Sequence, residues 1–169
     1  MKRTRLLLTL CGLGAASLMT GCGGGSTGSE TPAASTPTTC EQPYTWLDRV
    51  RMSGNRIGTG AQGEWSMSCN IRTLESASLT VCVTHTDTTE LQLALTRPDN
   101  VELTLPGLNN WARTGTCPSG QAWTYAIAPA DLPLSDFSGR WVVRITDKYP
   151  NNTSDGIFNG WSFSLKGLR

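Results

Sequence analysis

Histidine is all but missing from this chain of 169 residues: His85 stands alone. A Ser-His-Asp triad would need it as general base, and no Gly-x-Ser-x-Gly elbow offers a serine nucleophile. Basic residues are sparse as well. Of the 14 lysines and arginines, Lys2, Arg3 and Arg5 lie in the first 21 residues, which leaves 11 basic against 13 acidic residues, a net charge near −2. Nucleic-acid binding needs a clustered basic face, so that partner class is excluded. No Cys-x-x-Cys pair occurs, which argues against a four-cysteine zinc site. The apolar run near the N-terminus is too short and too glycine-broken for a comfortable membrane span. No stretch carries the 3.6-residue period of an amphipathic helix, and no internal repeat is present.

What is there begins with an export signal. Lys2, Arg3 and Arg5 precede the apolar stretch Leu6–Ala16, and small residues then lead to Gly21-Cys22. Residues 1–21 therefore read as a signal peptide. The run Leu18-Met19-Thr20-Gly21-Cys22 resembles a bacterial lipobox. That resemblance implies cleavage after Gly21, diacylglycerol on the Cys22 sulfur and an N-acyl chain such as palmitate. Several acyl chains on one cysteine anchor firmly, since each buried CH₂ contributes about 0.8 kcal/mol. Gly23 follows, with no aspartate to imply inner-membrane retention, so an outer-membrane lipoprotein is expected. Residues 22–39 are a Gly/Ser stretch followed by a Pro/Thr stretch with no large apolar side chain. Such a segment cannot offset the entropy of ordering it and is expected to be a tether.

The domain is expected over 40–169. Cys11 leaves with the signal peptide and Cys22 takes the lipid, which leaves Cys40, Cys69, Cys82 and Cys117. Four cysteines in an exported chain imply two disulfides. Three pairings are open, and spacing does not choose among them; the sequential arrangement, Cys40–Cys69 with Cys82–Cys117, is preferred.

From Cys40 onward the period is two. Trp65, Met67, Cys69 and Ile71 alternate with polar residues, as do Leu79, Val81, Val83 and His85. The same pattern returns at Leu91–Leu95, Val101–Leu105, Trp123–Ile127, Trp141–Ile145 and Trp161–Leu165. Each set gives a strand with one apolar face. Arg97-Pro98-Asp99-Asn100 reads as a hairpin turn. Short strands separated by turn residues predict an all-β sandwich or barrel.

Three stretches resemble the P domain that follows the catalytic domain of subtilisin-like proprotein convertases and many bacterial exoproteases. They are Leu79–Asp99, with its aliphatic alternation and His85-Thr86; Gly139–Asp147, a Gly-x-Trp strand ending in aspartate; and Asp155–Gly167, a turn into a closing tryptophan strand. The resemblance covers about residues 75–169. Thr89 and Glu90 stand where the family has glycine and aspartate, and Cys82 and Cys117 are additions. The resemblance implies a jelly-roll, galactose-binding-like β-sandwich. It also implies a non-catalytic binding or accessory role, since P domains pack on a protease and steady it. The sequence carries no protease domain, so the expected partner is a separate protein, an exported protease or an envelope component.

Three candidate sites follow. His85 is expected to be structural, bonded to neighbouring backbone, so no catalytic residue is assigned. The loop Asp147–Asp155 offers two carboxylates, two asparagines and free carbonyls, the hard oxygen shell that calcium takes. It lacks the closing glutamate of an EF-hand. Some P domains bind calcium, so Asp147 and Asp155 are its expected ligands and calcium the one expected cofactor. Of six tryptophans, Trp111 falls in an expected loop and is the candidate exposed ring for stacking a sugar, the basis of an alternative glycan-binding function. A small lipid-anchored hydrolase is the third, disfavoured reading.

Overall fold

The computed structural model describes residues 35–51, 60–117, 120–148 and 156–169. They fold as two antiparallel sheets packed face to face. The strands are β1 (Pro37–Arg51), β2 (Ala61–Met67), β3 (Thr73–Thr84), β4 (Leu91–Thr96), β5 (Glu102–Leu105), β6 (Ala112–Cys117), β7 (Gly120–Ile127), β8 (Gly139–Asp147) and β9 (Ile157–Leu168). One sheet has the order β1-β9-β3-β7-β6 and the other β2-β8-β4-β5. Helix among the described residues is confined to three 3₁₀ turns, Thr88–Glu90, Leu108–Asn110 and Pro129–Asp131. None is long enough to cross a membrane.

The alternating sets become the inner faces. Leu79, Val81 and Val83 of β3 pair across to Phe163, Trp161 and Phe158 of β9. All six side chains are buried between the sheets. From the opposing sheet, Leu93 and Leu95 of β4 stand beside Ile145 and Val143 of β8. The sheets meet through large rings: Trp141 of β8 lies against Phe163 of β9, ring centres 4.9 Å apart. Trp161 fits over Gly63 of β2, where any Cβ would collide with its indole. The expected hairpin joins β4 to β5. Asn100 adopts a left-handed φ of 63°, and its N–H donates to Arg97 O at 2.9 Å. The Arg97 guanidinium grips Asp99 through both Nε and Nη2; that bond holds the Asp99 carboxyl below the usual carboxylate range.

Two strands have no period-two signature. β1 is polar, and its register slips between Gln42 and Thr45 and again between Trp46 and Val50. The first slip inserts one residue and so inverts which side chains face inward, and no single alternation runs along the strand. β1 also starts at Pro37, three residues inside the stretch expected as tether, because Pro37, Thr38 and Thr39 pair with Leu168, Gly167 and Lys166 of β9. Backbone pairing orders them where side chains could not. β6 is exposed from Ala112 to Thr116. It carries a bulge between Arg113 and Gly115, where Gly115 takes φ +149°, a conformation side-chain-bearing residues rarely adopt. The strand expected to run through Ile71 instead ends at Met67. Cys69 and Ile71 remain buried, but their backbone has left the sheet: Cys69 N–H donates to Ser138 Oγ, and that hydroxyl donates back to Cys69 O.

Both preferred disulfides are present. Cys40–Cys69 ties β1 to the segment after β2, and Cys82–Cys117 ties β3 to the end of β6, across the intervening β7.

Candidate functional site

β3 and β8 are interior strands of opposite sheets. Continuing the alternation of Val81 and Val83 by one step past the end of β3 puts His85 in the inter-sheet space. Continuing Val143 and Ile145 by one step puts Asp147, the last residue of β8, there too. They meet: His85 Nε2 lies 3.2 Å from Asp147 Oδ2, with side-chain exposures of 0% and 5%. The 3₁₀ turn that follows His85 then brings in Glu90. Asp87 caps this turn by accepting from the Thr89 N–H and hydroxyl; these two bonds, the hydroxyl's first, hold the Asp87 carboxyl below its usual range. Glu90 precedes Leu91, the β4 partner of Asp147, and Glu90 O accepts from Lys148 N–H at 3.0 Å.

The hydrogen bonds fix what the imidazole can do. The Asp87 N–H donates to His85 Nδ1 at 3.1 Å, so Nδ1 is an acceptor and the ring proton sits on Nε2. That proton goes to Asp147 Oδ2. Both nitrogens are engaged and the ring is sealed from solvent. A general base needs a free acceptor nitrogen facing a nucleophile, and this ring has none to offer. His85 joins two sheets and orients a carboxylate.

Ligand atoms of His85, Glu90 and Asp147 all lie within 4.8 Å of one another. Because Nε2 carries the proton, His85 ligates nothing in this arrangement. The donor set is two carboxylates, Glu90 and Asp147, with His85 holding the second: hard oxygens of the kind calcium takes. Asp155, the other expected ligand, lies outside the described residues, as does the lipidation residue Cys22. Glu90 is absent from the sequence-based ligand set, where it stands only as a departure from the family pattern.

Trp111 is not an exposed platform. It is 5% exposed, its ring stacks on Tyr125 at 5.2 Å, and its Nε1–H donates to Pro106 O at 2.9 Å. A sugar cannot reach either face of the ring in this packing.

The sequence pattern of the proprotein convertase P-domain matches residues 74–165. The chain belongs to this family. The P-domain match spans all of β4 to β8 and most of β3 and β9, and leaves β1, β2 and the Cys40–Cys69 bridge outside it. Among solved structures, the P-domain chain is similar to one in the crystal structure of an Aeromonas sobria serine protease with its chaperone. The identity is 13% and the TM-score 0.50, over 78% of this chain and 27% of that one. A second crystal structure, of the A. sobria protease, gives 13% identity and a TM-score of 0.46, over 78% and 28% of the two chains. At such identity the likeness is one of fold. The chain thus spans little more than a quarter of the length of these structures. No curated protein matches the sequence.

Proposed function

We propose that this P domain is a lipid-anchored accessory module of the bacterial envelope, which binds an exported protease in trans and performs no chemistry itself. The observation that carries this reading is the P-domain match combined with a lone histidine whose two nitrogens are both engaged. P domains are accessory domains, and the similar fold in a serine protease–chaperone structure supports a protease as the class of partner. Cys22 supplies the anchor. In detergent-solubilised envelopes, the wild-type chain should bring down an exported protease and slow its thermal inactivation severalfold. A Cys22→Ser variant should leave the membrane fraction and bring down none. A purified chain that hydrolyses protein by itself, or one that binds no protease, contradicts the reading.

Calcium is the ion proposed for Glu90 and Asp147, with Asp155 the further ligand expected from the sequence. Bound there, it would neutralise two adjacent carboxylates. Extracellular modules hold calcium with a Kd of about 0.1–1 mM, so about 10 mM calcium should stabilise by roughly 1.4–2.7 kcal/mol. The expected result is a melting temperature several degrees higher in calcium than in EDTA. Asp147→Asn should abolish that shift. His85→Ala should lower the EDTA baseline by about 1–3 kcal/mol, because it removes a buried hydrogen bond to the Asp147 carboxylate, and should shrink the calcium response. An identical melt in calcium and EDTA sinks the assignment.

A further inference from the structure

The outer face of the five-stranded sheet is short-chained. Where β1, β9 and β3 run side by side, Ser164 pairs with Glu41 on one side and Ser78 on the other. Ser162 pairs with Thr80 of β3. Their side chains point away from the core, because Phe163 and Leu79 between them point into it. Serine is too small to fill such a surface, so a depression forms between the strands.

The first register slip of β1 makes one wall of it. The extra residue between Gln42 and Thr45 lifts Pro43 and Tyr44 out of the plane. The bulge is braced from within: the Gln42 amide donates to Thr45 Oγ1, and that hydroxyl donates to Pro43 O at 3.3 Å. Tyr44 lies across Gly160, where a Cβ would come within 2.7 Å of its hydroxyl. Burial pushes the Tyr44 hydroxyl up to about 12, so the ring stays neutral. Glu41 closes the opposite side and accepts from the Ser164 hydroxyl at 3.3 Å. The open depression so formed has a volume of about 260 Å³ and is lined by Glu41, Gln42, Pro43, Tyr44, Ser78, Ser162, Phe163 and Ser164. Ser78 and Ser162 line it beside Ser164. Beyond the cavity the hydroxyl surface continues across the sheet, with Thr80 Oγ1 2.8 Å from Thr124 Oγ1 and Thr124 Oγ1 3.0 Å from Thr114 Oγ1.

From this geometry we infer that the cavity between the β1 bulge and Ser162 is a binding site for a neutral sugar ring. The recognition is chemical. A pyranose has an apolar C–H face that suits the Tyr44 and Pro43 wall, and hydroxyls that both donate and accept. Ser78, Ser162 and Ser164 do the same, and Glu41 accepts only. One carboxylate with no cation lining the cavity disfavours an anionic ligand. The volume admits one ring, and the Thr80–Thr124–Thr114 track offers polar contacts to a second. The site lies on the outer face, whereas His85 and Asp147 lie between the sheets, so it stands or falls independently of the protease and calcium readings.

The test is saturation-transfer NMR on the full chain in a sugar-free detergent, with glucose, galactose, mannose and N-acetylglucosamine as separate probes. At least one should bind saturably in the millimolar range. Ser162→Arg, which fills the floor, and Glu41→Gln should each weaken that binding at least fivefold, while Asp147→Asn should not change it. Both substituted positions face outward, and the melting temperature shows whether each variant has folded. If Ser162→Arg does not fold, Glu41→Gln alone decides. No saturable binding by any of the four sugars overturns the assignment, and so does saturable binding that a folded Ser162→Arg or Glu41→Gln variant retains unchanged.

Discussion

Reduction of the two disulfides should leave the domain unfolded, or barely folded, at 25 °C. The bridges join residues 29 and 35 apart in sequence. Closing loops of that length removes unfolded-chain entropy equivalent to about 3.5–4 kcal/mol each. The pair therefore supplies on the order of 7 kcal/mol, against a total stability of about 5–15 kcal/mol for a domain of ordinary size. The placement adds to this. β1 meets the five-stranded sheet along β9 alone, and the exposed β6 meets it along β7 alone. Each of these edge strands carries one bridge cysteine, Cys40 in β1 and Cys117 in β6. Urea unfolding of the oxidised chain, and of the chain in excess phosphine reductant, measures the difference. The reduced midpoint should fall close to zero urea, and each paired double variant (Cys40→Ala with Cys69→Ala, Cys82→Ala with Cys117→Ala) should lie between. If the reduced chain kept most of its midpoint, packing rather than chain entropy would be holding the edges.

Gly63→Ala should destabilise the domain by about 3 kcal/mol, although it adds a single methyl group. A Cβ on Gly63 falls 2.7 Å from Trp161 Cδ1 and closer still to Nε1. Trp161 is fully buried and has no room to swing away, so the sheets must separate locally; overpacking of this kind costs about 1–3 kcal/mol and occasionally more. Ser66→Ala, on the exposed face of the same strand, should change stability by less than about 0.5 kcal/mol. The cause can be isolated with a double-mutant cycle. In a Trp161→Ala background, which removes the indole that the methyl would strike, Gly63→Ala should cost less than about 1 kcal/mol. An equal cost in both backgrounds would place the strain elsewhere than at the ring.

Much of the site was legible because it obeys the same rule as the core. His85 sits one step beyond Val83 in an alternating run, and Asp147 one step beyond Ile145, so the strand period alone directs both side chains inward. That they meet is a different kind of fact. β3 and β8 are separated by most of the P-domain sequence and are not neighbours in either sheet; only the packing of one sheet on the other sets them face to face. Trp111 was misread for a related reason. Its neighbours Leu108-Asn109-Asn110 look like an open loop, and the residue that covers its ring, Tyr125, comes from a later strand. Local polarity does not report a contact made across a strand pair.

The sequence by itself determined the all-β class, the inward faces of its alternating strands, the hairpin at Arg97–Asn100 and the family. These follow from period, turn chemistry and short motifs, each a property of neighbouring residues. Only the tertiary structure decided that β1 and β6 are strands, which cysteines pair, what His85 and Trp111 touch, and that a cavity opens beside Tyr44. The strand β1 exists because β9 offers its backbone partners, and the cavity exists because a register slip raises Tyr44 over a floor of serines. Backbone pairing and register depend on which segments lie side by side, and that is fixed when the sheets assemble.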